Sequence, residues 1–234
     1  MMGEYSVLVA FVVLFIAAVC LQGSTFLSFN NIINILRNNA VVGIIAIGMT
    51  LVIITGGIDL ACGSELALIG VIIVQVLNGT QSILLALLSG FAASIAFGLF
   101  TGFFVSKFRI PAFIVTLGTM SIYRSIAQFW LNGGGKLTTG DMGKAYTNIS
   151  NTSLFGVIPM PIIIWAIVVI VVFIFANHVP TGRHIYAVGS NEKASQLATI
   201  NTIKVKCIAY TIASVLVMVA AMVATKSPSS SEER

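Results

Sequence analysis

One stretch constrains this chain more than any other: Gly48-Met49-Thr50-Leu51-Val52-Ile53-Ile54-Thr55-Gly56-Gly57-Ile58-Asp59-Leu60-Ala61-Cys62-Gly63-Ser64. An apolar run is interrupted by two glycines and a carboxylate, and then resumes. Glycines let a helix unwind, and unwound backbone at membrane depth is tolerated only inside protein or along a wet cavity. An acidic residue between two apolar helices is expensive there unless it has a use. The segment is therefore a sharp turn between helices or a polar point on a transport path.

The membrane setting follows from composition. Of 234 residues, 58% are hydrophobic and 8% are charged, against about 25% charged in ordinary soluble domains. So few charges cannot clothe a water-soluble surface. The net charge of +5 does not indicate nucleic acid. The basic residues sit in short loops, where they orient membrane spans, and form no basic face. Cys20, Cys62 and Cys207 lie in or beside apolar runs with no CxxC pair, and read as small apolar thiols. His178 and His184 share one loop without a matching carboxylate or cysteine cluster, so no metal site is expected. Gly133-Gly134-Gly135-Lys136 fails the phosphate-loop pattern, because Leu137 stands where Ser or Thr is needed. No catalytic constellation and no cofactor site are expected.

The expected fold is all-α: a polytopic membrane protein of about seven spans, broken near residues 55–60. The candidate spans are Tyr5–Leu21, Asn39–Thr55, Leu60–Leu77, Ile83–Val105, Ala112–Leu131, Val157–Ala176 and Ile208–Ala224, each near the 20 residues that cross a bilayer. The first is read as retained, since no basic stretch or cleavage site marks a signal peptide. Residues 1–224 form the expected membrane domain, and 225–234 a polar tail with the composition of disorder.

Lys107 and Arg109 mark one cytoplasmic loop, and Arg183, Lys193, Lys204 and Lys206 another. This leaves residues 132–156 outside. Counting back places the N-terminus inside, with Arg37 a mild violation. A single broken crossing from Asn38 to Leu77 would place it outside, and both remain open. Gly90, Ser94, Gly98 and Gly102 recur every four residues and predict a tight helix–helix seam. The charges within apolar runs are Asp59, Glu65 and Arg124. Asp59 is expected to cap the next helix, and Arg124 either to snorkel outward or to pair with an acid, with Glu65 the candidate partner.

Gly48 to Leu60, followed by Gly63-Ser64, resembles the signature of the ribose-type permeases. These are the membrane subunits of bacterial ATP-binding-cassette importers for ribose, xylose, arabinose, galactose, autoinducer-2 and similar solutes. Phe108-Arg109-Ile110-Pro111 through Met120, with Tyr123-Arg124, is similar to the family's basic loop and the span after it. Thr181-Gly182-Arg183-His184-Ile185-Tyr186-Ala187-Val188-Gly189-Ser190-Asn191-Glu192-Lys193-Ala194 resembles its cytoplasmic loop, and Lys204-Val205-Lys206 also fits.

The resemblance implies a bacterial inner-membrane sugar permease without its own ATPase. Its implied partners are an ATPase subunit, a periplasmic or lipid-anchored sugar-binding protein and a second permease subunit, alike or different. It implies that Thr55, Gly56, Gly57, Asp59, Gly63 and Ser64 form a structural break or lie near the path. It also implies that Gly182, Arg183, Tyr186, Gly189, Asn191, Glu192 and Ala194 belong to an ATPase-coupling loop. The alternatives are a secondary transporter, or a fragment that docks the ATPase without transporting. The family usually has around ten spans and about a hundred more residues, so the chain reads as cut short. Thr199 stands where the family commonly has glycine. No residue names the sugar.

Overall fold

The computed structural model describes residues 6–132, 138–154 and 156–225. It is almost wholly helical: α1 Ser6–Gln22, a 3-10 turn Gly23–Thr25, α2 Phe29–Ile54, α3 Cys62–Thr80, α4 Ile83–Lys107, α5 Ala112–Leu131, α6 Gly140–Asn151, α7 Met160–His178, α8 Pro180–Ser190, α9 Glu192–Leu197 and α10 Thr202–Ala224. A two-stranded antiparallel hairpin, β1 Ser153–Leu154 and β2 Ile158–Pro159, separates α6 from α7. The all-α polytopic expectation holds.

The count of seven spans is not confirmed. Among the described residues, five helices are long and apolar enough to cross a membrane: α2, α3, α4, α7 and α10. α1 is apolar but shorter as described. α5 has 20 residues, but Thr116, Thr119, Arg124 and Gln128 dilute its hydropathy. The residues expected as the loop 177–206 fold into α8, α9 and the first turn of α10. The tail beyond Thr225 and the loop 133–137 lie outside the described residues.

The chain divides into two compact units, residues 1–39 and 40–234. In the first, Phe15 packs edge-on against Phe26 at 5.6 Å between centroids. Asn31 donates its side-chain amide to the Phe26 carbonyl at 2.8 Å, securing the turn before α2.

The second unit is organised around α10, whose buried residues run from Thr202 to Val223. One apolar cluster joins it to α2, α7 and α8 through Ile44, Leu51, Val168, Val172, Ile185 and Leu216. Another joins it to α3, α4 and α6 through Ile69, Ile73, Ala86, Tyr146 and Val217. α5 packs on α3 through Ala61, Leu68, Val71, Tyr123 and Ala127.

The four-residue stripe of α4 lies along α10, antiparallel to it. A Cβ built on Gly98 would stand 2.5 Å from the Thr211 Cα, and one on Gly102 would stand 2.7 Å from the Cys207 Cα. Ser214 Oγ reaches the Ser94 carbonyl at 2.6 Å. Gly90 meets Ile73 and Met218. Lipid supplies no hydrophobic drive for helices to associate, so close backbone approach and dispersion must hold this pair.

These contacts fix chain direction. Gly43 abuts Trp165 early in α7, Gly48 abuts Ala213 near the middle of α10, and Gly189 of α8 abuts Ile54. α3 runs the other way, from Glu65 beside Ser214 to Leu77 near the opposite end. Residues 40–77 thus cross twice, not once as a single broken helix. At the end away from Ile54, Asn78 accepts the Thr139 N–H at 2.8 Å, and Ser150 donates to the Met222 carbonyl at 3.1 Å.

Two helices of this unit end in the same way. After α2, the Gly56 N–H donates to the Ile53 carbonyl and the Gly57 N–H to the Val52 carbonyl, with Gly56 at φ +79°. After α9, the Thr199 N–H donates to Gln196 and the Ile200 N–H to Ser195, with Thr199 at φ +63°. Both are Schellman ends, which require a left-handed residue. Glycine meets that requirement freely, whereas β-branched threonine is strained there.

Thr199→Gly should therefore raise stability by about 1 kcal/mol, read as a higher unfolding temperature in detergent. Gly98→Ala should cost about 1–3 kcal/mol, because backbone blocks its methyl group. Gly118, where an added Cβ meets nothing within 4 Å, is the control. Gly118→Ala should be neutral or stabilising by up to about 1 kcal/mol.

Candidate functional site

The break between α2 and α3 is built from its two ends inward. Thr55 is buried, and its hydroxyl donates to the Val52 carbonyl at 2.7 Å. Gly56 supplies the left-handed turn. Gly57 is required for a different reason: a Cβ there would stand 2.6 Å from the Tyr210 hydroxyl. That hydroxyl donates to the Ile58 carbonyl at 3.3 Å, so α10 holds the unwound backbone.

Asp59 is 6% exposed and accepts the Ala61 N–H at 2.9 Å. It closes the turn ahead of α3, not the helix itself, whose N-cap Ala61 offers no side-chain bond. This corrects the expected helix cap by two residues. The carboxylate can serve its local backbone only by folding back over the turn.

Glu65, one turn into α3, is 3% exposed. It is bonded to Ser214, whose hydroxyl also contacts the Ser94 carbonyl, so one serine links α3, α4 and α10 near mid-helix. The expected Glu65–Arg124 pair is absent. Glu65 points into the helix bundle, while Arg124 is exposed on α5. The ion pairs among the described residues are Lys144–Asp141 and Lys206–Glu192. Gly63 and Ser64 lie on another face of α3, in a groove shared with Arg124 and Gln128 of α5.

The basic loops come together at the end where α2 stops. Arg109, Lys193 and Lys206 line a cleft of about 490 Å3 with Thr55, Gly56, Gly57, Asn191 and Glu192. Val179 is extended and Pro180 opens α8, turning the chain sharply out of α7. Gly182 fits the corner because any Cβ would strike the Phe175 carbonyl. Gly189 likewise lies against the Ile54 carbonyl. Asn191 caps α9 by accepting the Ala194 N–H at 2.9 Å. Glu192 lies in its first turn, where a carboxylate suits the helix dipole. It also pairs with Lys206 of α10 at 2.7 Å. Arg183, Tyr186, Ala194 and Leu197 are exposed, Leu197 at 88%.

The structure thus brings Thr55, Gly56 and Gly57 together with Asn191 and Glu192, and leaves Gly63 and Ser64 on a separate face. Sequence reasoning missed the contacts of Tyr210 and Ser214, and it placed Lys206 as a loop charge without its partner Glu192. The first two sit within an apolar run and bear no mark of their partners. No group of three potential metal-binding side chains occurs among the described residues.

A family model described as the permease component of branched-chain amino acid transport systems matches residues 31–232. The ribose import permease of Escherichia coli K12 is 37% identical over 228 residues, covering 94% of this chain and 68% of that protein. The ribose import permease of Bacillus subtilis is 32% identical, covering 88% of this chain and 64% of that protein. An inner-membrane ABC transporter permease of Escherichia coli K12 is 37% identical over 187 residues, 76% of this chain and 54% of that protein. No solved structure matches the chain. With apolar helices long enough to span, and a family match over most of its length, the chain belongs to this permease-component family: it is a multi-pass inner-membrane transport subunit of the ATP-binding-cassette class, in which ATP hydrolysis resides on a separate subunit.

Proposed function

We propose that this chain is the permease of an importer for a small sugar of the ribose type, and that its ATPase partner docks on the exposed face of α8 and α9. A solute-binding protein would deliver sugar to the opposite face, and a second permease subunit would complete the path. The observation that carries the substrate is the 37% identity with a ribose import permease across 94% of this chain.

The coupling role rests on geometry. α9 is short and half-exposed, and presents Ala194 and Leu197 to solvent, as suits a helix that seats in a partner's groove. It is not free to move alone. Gly189 abuts the last carbonyl of α2, and Glu192 is tied to the first turns of α10 through Lys206. A push on α9 therefore reaches Thr55–Asp59, where the backbone is unwound and helical hydrogen bonds resist least.

The deciding experiment co-expresses the chain with a ribose-type ATPase and binding protein and measures ribose uptake into proteoliposomes. ATP-dependent uptake is expected; uptake without the ATPase would contradict the proposal. Co-purification with no uptake under any condition would reduce the chain to a docking subunit.

Two substitutions probe coupling. Gly189→Val should leave membrane insertion intact but lower ribose-stimulated ATP hydrolysis, because its side chain meets the Ile54 carbonyl. Glu192→Lys should weaken the attachment of α9 by about 1 kcal/mol, and the swap with Lys206→Glu should restore it. Wild-type coupling in both single variants would refute the route.

A further inference from the structure

Arg124 occupies a position that needs a reason. It lies on α5 about 10 Å before the end of that helix at Leu131, and it is exposed. A guanidinium facing hydrocarbon is costly, and it is tolerated when paired, when it reaches the interface, or when it faces water. Pairing is not available. Among the described residues neither ion pair involves it. Glu65 is taken by Ser214 on the inner side of α3, and Asp59 is folded over its own turn.

Reaching the interface at the Leu131 end runs against helix geometry. Side chains on an α-helix lean toward its N-terminus. On α5 that is toward Ala112, hence deeper into the membrane. Arg124 lines a groove that runs from Leu60, Gly63 and Ser64 at the start of α3 to Leu131 at the end of α5. The start of α3 is itself at mid-depth, since Glu65 meets Ser214 near the middle of α10.

What remains is water. The groove has a volume of about 420 Å3. Gly63 and Ala67 keep α3 low along one wall, Ser64 contributes a hydroxyl, and Gln128 stands one helical turn from Arg124 on the other wall. Guanidinium, amide and hydroxyl together offer donors and acceptors to a solute's hydroxyl groups, and the groove has no carboxylate.

We infer that the groove between the first turns of α3 and the second half of α5 is a wetted wall of the solute path, in which Arg124, Gln128 and Ser64 bind an uncharged polyhydroxylated solute. This rests on the sugar-permease reading above. It also places solute contact on the α3–α5 face, not at Asp59, which is buried and spoken for.

The test uses the complex with its ATPase and binding protein, in membranes, with Cys20, Cys62 and Cys207 replaced. Single cysteines at Ser64 and Gln128 are compared with Phe91→Cys and Ile170→Cys, on exposed apolar faces of α4 and α7. Each is treated with a cationic, water-soluble methanethiosulfonate. The groove positions should react many times faster than the two controls, and saturating ribose should slow them. Arg124→Gln should raise the half-saturating ribose concentration for uptake about tenfold, the loss of one charge-assisted hydrogen bond.

Groove cysteines that react no faster than the controls would overturn the inference, whether lipid or a partner keeps the groove dry. Fast labelling that ribose does not slow would overturn the ligand assignment. Because labelling does not require turnover, a groove that is wet and protected by ribose supports the inference even if uptake fails, and that failure then counts only against the transport reading.

Discussion

The backbone contact between α4 and α10 is the constraint from which the second unit is built. In lipid, apolar faces gain little by meeting each other, so helices stay together through close packing and shared hydrogen bonds. Gly98 and Gly102 let α4 approach the Cα atoms of Thr211 and Cys207, and Ser214 bonds to the Ser94 carbonyl beside them. Because the two backbones touch, Ser214 also comes within reach of Glu65, which sets the height of α3. With α3 placed at mid-depth, the chain between Ile54 and Cys62 must climb unwound along α10. Tyr210 holds it there through the Ile58 carbonyl.

That arrangement gives the break a mechanical meaning. Its lower end opens into the cleft shared with Asn191 and Glu192, and its upper end leads into the α3–α5 groove. One unwound segment thus lies between the face proposed to dock an ATPase and the wall proposed to meet the solute. Asp59, the feature that first suggests a ligand, is occupied in making the turn. Arg124 instead lines an open groove, together with Ser64 and Gln128.

Much of the fold was legible because its signals are local. Apolar length marks α3, α4, α7 and α10, and the four-residue stripe of α4 marks a seam before its partner is known. Asn191 followed by Glu192 announces a capped helix. The failures share a physical origin. α5 falls below the hydropathy of its neighbours because polar side chains that line its groove interrupt an otherwise apolar run. The Glu65–Arg124 pairing failed because opposite charge was matched without knowing which faces the two helices present. Tyr210 and Ser214 went unnoticed because a hydroxyl in an apolar helix carries no sign of its partner. Thr199 was visible as a departure from the family pattern, but its cost emerges only from the positive φ that the end of α9 imposes.

The sequence by itself determined that the chain is helical, membrane-spanning and interrupted after Ile54, and which permease family it resembles. Composition, run length and the Gly56-Gly57 pair act through local chemistry that any fold must respect. The tertiary structure alone decided that residues 40–77 cross twice, that Glu65 answers to Ser214, and that Arg124 opens onto a groove. Those outcomes depend on which faces meet across long separations in sequence, and they follow from how closely two backbones can approach, which a linear pattern does not encode.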